Sequence, residues 1–254
     1  IRRPSTNVLA FDTSGDEALR IDATGDVGLN GVGNLTGDYG QLTVHGRTSD
    51  SIATLNLNGA RTSNSVTNAI NFAQGGTVAA EIKTTRQASN NSLAALSFHT
   101  SGTERMKIFD GGAVTKPSQP AFLAKPTSPQ NNMGTSNSTI NFGTEIYDQG
   151  SDFSSNTFTA PVTGKYSFNA VIRLDQISTD ANYIEIKIVT SNRNYHWLMD
   201  PDGLDSNPAY WNGQVNCLAD MDAGDTAKVF YNQSGGSTTT DVSTESHFSG
   251  FLAC

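Results

Sequence analysis

From Ile1 to about Lys116 the apolar residues come in short bursts that alternate with polar ones and are divided by Gly, Asn, Asp and Ser. The bursts LRI at 19, LTV at 42, LNL at 55, INF at 70, LSF at 96 and MKI at 106 each predict a strand of roughly 3 to 6 residues with one apolar face. TVAAEIKTTRQA, 77–88, fits helix or strand, because Val78, Ala80 and Ile82 alternate equally well. One internal echo is visible: EALRIDATGDV at 17–27 aligns with ERMKIFDGGAV at 104–114, matching Gly25 with Gly112 and Val27 with Val114. Then TKPSQPAFLAKPTSP, 115–129, breaks the pattern with four prolines, which stiffen the backbone and remove donors. The expected domain boundary lies here, between 1–116 and 117–254.

Beyond it the alternation is longer. In GKYSFNAVIRL, Tyr166, Phe168, Ala170, Ile172 and Leu174 face one way, and in YIEIKIV so do Ile184, Ile186 and Ile188. Further strands are expected at 193–199, 209–219, 225–232 and 246–253. Many short antiparallel strands at this spacing predict an all-β sandwich or jelly roll.

Composition limits the core. Only 36% of residues are hydrophobic and 16% charged. Strands as short as those before Lys116 bury two or three side chains each, at ~1.5–3 kcal/mol apiece, which barely offsets ~1–2 kcal/mol per residue of backbone ordering. Three chains wound about one axis would share a core and cover one another's strand edges.

A net charge of -8 argues against nucleic-acid binding, which leans on clustered Lys and Arg. No apolar run nears the roughly 18 residues that span a bilayer, and no signal-peptide pattern opens the chain, so no membrane insertion is expected. Because Ile1 rather than Met comes first, the chain reads as a fragment, a processed product or the ordered part of something longer. Cys217 and Cys254 are too few for a disulfide scaffold and read as small buried hydrophobes.

The stretch from INFAQGGTVAAEIKTT to LAALSFHTSGTERMKIFDGGAV, 70–114, resembles a segment common in the shafts of bacteriophage tail fibres. A strand ending in a Gly-Gly-Thr turn leads there to a Glu-Arg-Met-basic-Ile signature. FGTEIYDQGSDFSSNTFTAPVTGKYSF resembles the globular head shared by complement C1q and tumour necrosis factor. The matching positions are Phe142, Asp148, Phe153, Phe158, Thr159, Ala160, Pro161, Gly164, Tyr166 and Phe168. MDAGDTAKV, with Gly224 and Asp225, resembles that family's turn between its last long strands. FSGFL, with Phe248, Gly250 and Phe251, resembles its closing strand. Phe153 and Phe158 stand closer together than is usual for the family, which puts the geometry of that loop in doubt.

Together the resemblances imply an elongated, intertwined trimeric β shaft followed by a jelly-roll head. They imply a homotrimer that binds through loops and outer faces without catalysis, placed in the virion as a tail-fibre tip. Its implied partners are a host cell-surface glycan or protein receptor and, through whatever precedes Ile1, other tail proteins. A polysaccharide depolymerase and a non-viral bacterial adhesive filament are the alternative readings. If FSGFL is the closing strand, Cys254 shares parity with Phe248, Gly250 and Leu252 and is expected to be a core residue that resists alkylation.

The candidate chemistry lies at RNYHWLMDPDGLDSNPAYWNG, 193–213. Sugar sites combine flat apolar rings with planar hydrogen-bonding groups, which Tyr195, His196, Trp197, Asp200, Asp202, Asp205, Tyr210, Trp211 and Asn212 supply. The competing reading is that the aromatics fill the core. Tyr195 and Trp197, sharing a face, lean to core, whereas Tyr210 and Trp211, after a proline, lean to surface. DPDGLDSN lacks the spacing of a calcium loop and has no bidentate Glu, so a solvated acidic turn is the stronger reading. Calcium is implied only by some members of the head family, and no other cofactor is expected. His45, His99, His196 and His247 sit singly among strands, without a nucleophile elbow, zinc spacing or phosphate loop.

Overall fold

The computed structural model describes residues 1, 8–13, 16–21, 27–29, 66–74, 77–86 and 94–254, and every regular element among them is a β-strand. Chain contacts divide the protein into two units, Ile1–Asn58 and Gly59–Cys254. In the first unit β1 (Leu9–Thr13), β2 (Asp16–Ile21) and β3 (Val27–Leu29) form an antiparallel sheet in sequential order. The strands expected at 42 and 55 lie outside the described residues, as do Gly25 and His45.

The second unit opens with a five-stranded meander: β4 (Val66–Gln74), β5 (Thr77–Arg86), β6 (Ala94–Thr100), β7 (Thr103–Ile108) and β8 (Val114–Thr115). The ambiguous stretch at 77–88 is therefore a strand over most of its length. Antiparallel pairing puts directly opposite residues on one face. The ladder aligns Ile70, Ile82, Phe98 and Met106 in one row and Leu96, Ile108 and Val114 in the next. Ile70, Phe72 and Val114 on this apolar face are 43%, 54% and 51% exposed, while Ile82, Leu96, Phe98, Met106 and Ile108 are half-buried, so the rim of the apolar face is open among the described residues. The other face aligns Lys83, Ser97 and Lys107. The internal echo is a hairpin echo, because Ile21 pairs with Val27 as Ile108 pairs with Val114.

Twelve strands complete the unit: β9 (Ala121–Lys125), β10 (Ser138–Thr139), β11 (Thr144–Gln149), β12 (Phe153–Ser154), β13 (Thr157–Thr159), β14 (Gly164–Asp175), β15 (Ala181–Thr190), β16 (Asn194–Met199), β17 (Tyr210–Met221), β18 (Thr226–Gly235), β19 (Asp241–Val242) and β20 (His247–Leu252). They form two sheets, ordered β12-β13-β18-β15-β16 and β11-β9-β20-β14-β17, with β10 attached to β18 and β19 to β14. This is the expected jelly-roll sandwich. The alternation drives it: Tyr166, Phe168, Ala170, Ile172 and Leu174 of β14 and Ile184, Ile186 and Ile188 of β15 are all buried between the sheets.

One end of the core is aromatic. Phe248 has its ring 5.0 Å from Phe122, 5.8 Å from Phe142, 6.1 Å from Phe153 and 5.8 Å from Phe168. Such pairs add to area burial when edge-to-face or offset. A side chain on Gly250 would collide with the Phe168 and Phe122 rings, so the closing strand needs glycine there to lie against them. The Tyr166 hydroxyl donates to Val162 O at 2.8 Å, which lets a fully buried phenol keep a partner.

Strand β20 lies between β9 and β14, as expected of a terminus that is a structural member. The expectation for Cys254 is overturned. The strand ends at Leu252, and Cys254 is exposed, its carbonyl accepting from Lys165 N at 2.7 Å. Parity carries a side chain inward only while the pleat lasts. Cys217 is the half-buried thiol, and burial pushes its pKa up to about 11.

Candidate functional site

The head has two distinct ends. At one, Leu252 N donates to Pro120 O at 3.0 Å and Gln119 Nε2 to Leu252 O at 2.6 Å, so the chain enters the sandwich beside its closing strand. Strand β14 starts at that end with Gly164 and runs 12 residues to Asp175, roughly 35–40 Å at the usual strand rise.

At the far end Arg173 stands opposite Asn212, Leu174 opposite Trp211 and Asp175 opposite Tyr210. Arg173 Nε donates to Asp175 Oδ1 at 2.9 Å and Nη1 to Glu245 Oε2 at 2.5 Å, while its Cζ lies 5.4 Å from the centroid of the Tyr210 ring. The bonds to Glu245 and Asp175 raise the guanidinium pKa above its ordinary value. Arg173 N donates to Ser246 Oγ at 3.0 Å, and Ser243 N donates to Arg173 O at 3.0 Å, which ties the 243–246 turn to β14 and places Glu245 over the sheet end. Arg173, Tyr210, Trp211, Asn212 and Glu245 line an open cavity of about 520 Å³. Tyr210 is 68% and Trp211 41% exposed; as neighbours in β17 they project to opposite faces of the sheet end, Tyr210 with Asp175 and Trp211 with buried Leu174.

The nine sequence-predicted binding residues fall into four places. Tyr210, Trp211 and Asn212 are in the cavity. Tyr195 and Trp197 are half-buried against the core, in line with the core reading. Trp197 covers Gly213, where any side chain would strike its ring and Ile186, and this close approach anchors the strand that carries the cavity. His196 lies on the outer face of the opposite sheet, with Nδ1 2.5 Å from Glu185 Oε1. Burial raises the Glu185 pKa, but the bonds from His196, Lys187 and Asn232 more than offset this and leave it below its ordinary value. Asp200, Asp202 and Asp205 are exposed in the 200–209 loop, where Asp200 Oδ1 accepts from Asp202 N at 3.0 Å in an Asx turn. Among the described residues no group of three or more His, Cys, Asp or Glu side chains is placed to hold a metal ion.

Arg173, Asp175 and Glu245 were missed. Arg173 and Asp175 do read as outward positions of β14, but Glu245 is remote in sequence and no pattern joins it to them.

The chain's match to known families settles what this sandwich is. The family model described as "C1q domain" matches residues 121–253, just over half of the chain. The chain belongs to the C1q-domain family. Domains of this family are typically binding modules, often trimeric, and not enzymes. Among solved structures, the globular domain of zebrafish complement 1qA protein is 17% identical, with 54% of this chain and 98% of that one covered and a TM-score of 0.37. Murine APRIL, in a crystal at pH 8.5, is 11% identical, with 53% and 98% covered and a TM-score of 0.39. No curated protein matches the chain.

In this C1q domain the motif residues have concrete tasks. Phe142, Phe153, Phe158, Tyr166, Phe168 and Phe248 make up the aromatic core. Asp148 accepts from Asp152 N at 3.1 Å and Phe153 N at 3.0 Å, closing the loop before β12. The short spacing of Phe153 and Phe158 is a two-residue hairpin, with Ser155 and Asn156 both at positive φ. The turn at Gly224 and Asp225 is held by Asp225 Oδ2, which accepts from Asp222 N at 2.9 Å and Asn192 Nδ2 at 3.1 Å. Phe251 alone among these aromatics points outward, 52% exposed.

Proposed function

We propose that the chain is the distal part of a homotrimeric bacteriophage tail fibre, whose C1q head attaches the virion to a glycan on the host cell surface. The observation that carries this reading is the placement of the aromatic cavity. Tyr210, Trp211, Asn212, Arg173 and Glu245 gather at the end of the head farthest from where the preceding sheet enters, which is where a fibre meets its target.

Two exposed apolar surfaces support the trimer. In the head, Leu218, Ser167, Phe251 and Ala121 form one cross-strand row on the outer face of the β11-β9-β20-β14-β17 sheet, near the entry end. Leu218 is 61% exposed. The apolar face of the β4–β8 sheet likewise needs a cover, and copies of the same chain around a threefold axis supply it. The resemblance of residues 70–114 to tail-fibre shafts supports the viral assignment, and with it a location in the virion tail, outside the host cell.

Trp211→Ala tests the site. Binding of the full chain to an array of bacterial surface glycans should weaken about tenfold or more, as for a central aromatic anchor. The thermal unfolding midpoint should stay in place. Unchanged binding would remove the cavity from the function, and an unfolded variant would make Trp211 a core residue.

A further inference from the structure

If the cavity takes a glycan, as proposed above, its own charges specify which class. Arg173 is the one cation among the lining residues, and it is engaged on both sides, by Asp175 through Nε and by Glu245 through Nη1, with Tyr210 against its face. Two carboxylates beside one guanidinium leave a net negative site on a chain of charge -8. Asp241 adds to this as the Cα partner of Asp175. A carboxylate- or phosphate-bearing sugar would have to displace one of these carboxylates and then sit beside it, and like-charge juxtaposition of this kind is a standard way to exclude a partner.

An uncharged sugar meets no such barrier. Glu245, its side chain 68% exposed, keeps acceptor positions for ring hydroxyls, and Asn212 offers both a donor and an acceptor. Tyr210, on the face of Arg173, supplies a ring for the apolar side of a pyranose, Trp211 lines the cavity at the end of the strand, and about 520 Å³ is within the range of small-molecule sites. We propose that this cavity selects uncharged pyranose residues, with Glu245 as a hydroxyl acceptor, Arg173 as the residue that positions it, and Asp175 and Glu245 together as a filter against acidic sugars.

The test uses the full chain on a printed array of microbial glycans, sorted into neutral members and those bearing uronate, sialate or phosphate. Wild-type protein should bind neutral members in a Trp211-dependent way and acidic ones at least about tenfold more weakly. Asp175→Asn combined with Glu245→Gln frees Arg173 and should narrow or invert that ratio. Glu245→Gln alone, at an exposed position, should move it in the same direction even if the double variant is poorly folded. Trp211-dependent binding confined to acidic glycans, or a ratio unmoved by both variants, would overturn the charge filter while leaving the glycan site standing. Loss of Trp211 dependence for every glycan would remove the site itself.

Discussion

Phe248→Ala should lower the unfolding free energy of the head by about 3–5 kcal/mol, the usual cost of emptying a buried phenylalanine site. Phe248 is fully buried, and its ring touches Phe122, Phe142, Phe153 and Phe168, which come from four separate segments of the head. Removing it therefore opens a cavity where β9, the turn before β11, β12 and β14 converge on β20. These rings are held by rigid strands, so collapse into the hole is limited and the cost belongs in the upper part of the range. Urea denaturation followed by tyrosine and tryptophan fluorescence measures it. Leu198→Ala, on the outer face of β16 and 62% exposed, is the control and should leave the stability of the head nearly unchanged. A loss below about 1 kcal/mol for Phe248→Ala would mean that the closing strand is not seated in the core.

Leu218→Asp combined with Phe251→Asp should raise the concentration at which the trimer dissociates by about a hundredfold or more, or roughly 3 kcal/mol. The two positions flank Ser167 in one row, so each copy would lose two apolar side chains from the proposed contact, at ~1.5–3 kcal/mol per buried side chain, and gain carboxylates there that lack partners. Both side chains are more than half exposed in the lone chain, so the fold of the head should survive. Sedimentation velocity across a dilution series, with far-ultraviolet circular dichroism as the folding control, reads both effects. An unchanged dissociation profile would place the contact on another face.

Most of the head is legible in the alternation, because a period of two continued over ten or twelve residues fixes which side chains face inward. Strand β14 follows that rule from Tyr166 to Asp175, and β15 follows it from Tyr183 to Thr190, beyond the register shift after Ala181. The closing strand was legible through Phe248 and Gly250, but the same parity carried on to Cys254 failed, since pattern does not show where pleating stops. In the binding region, proline before Tyr210 and Trp211 pointed to surface, and shared parity pointed Tyr195 and Trp197 to the core. Proximity in sequence misled for His196, which the sheet turns to the opposite outer face and pairs with Glu185. Arg173 and Glu245 could not be read together at all, because the β14 to β20 topology that joins them is a property of the whole fold. The sheet β4–β8 shows the same limit: its strands were legible, but the pattern does not show that Ile70 and Phe72 stay exposed among the described residues.

The proposed trimer rests on the exposed rows of the head and of the preceding sheet, so the solution mass of the wild-type protein is its most direct measurement. Sedimentation equilibrium at micromolar concentration should give a single species of three times the 26.9 kDa chain mass. A stable species of 26.9 kDa under the same conditions would contradict the threefold fibre tip.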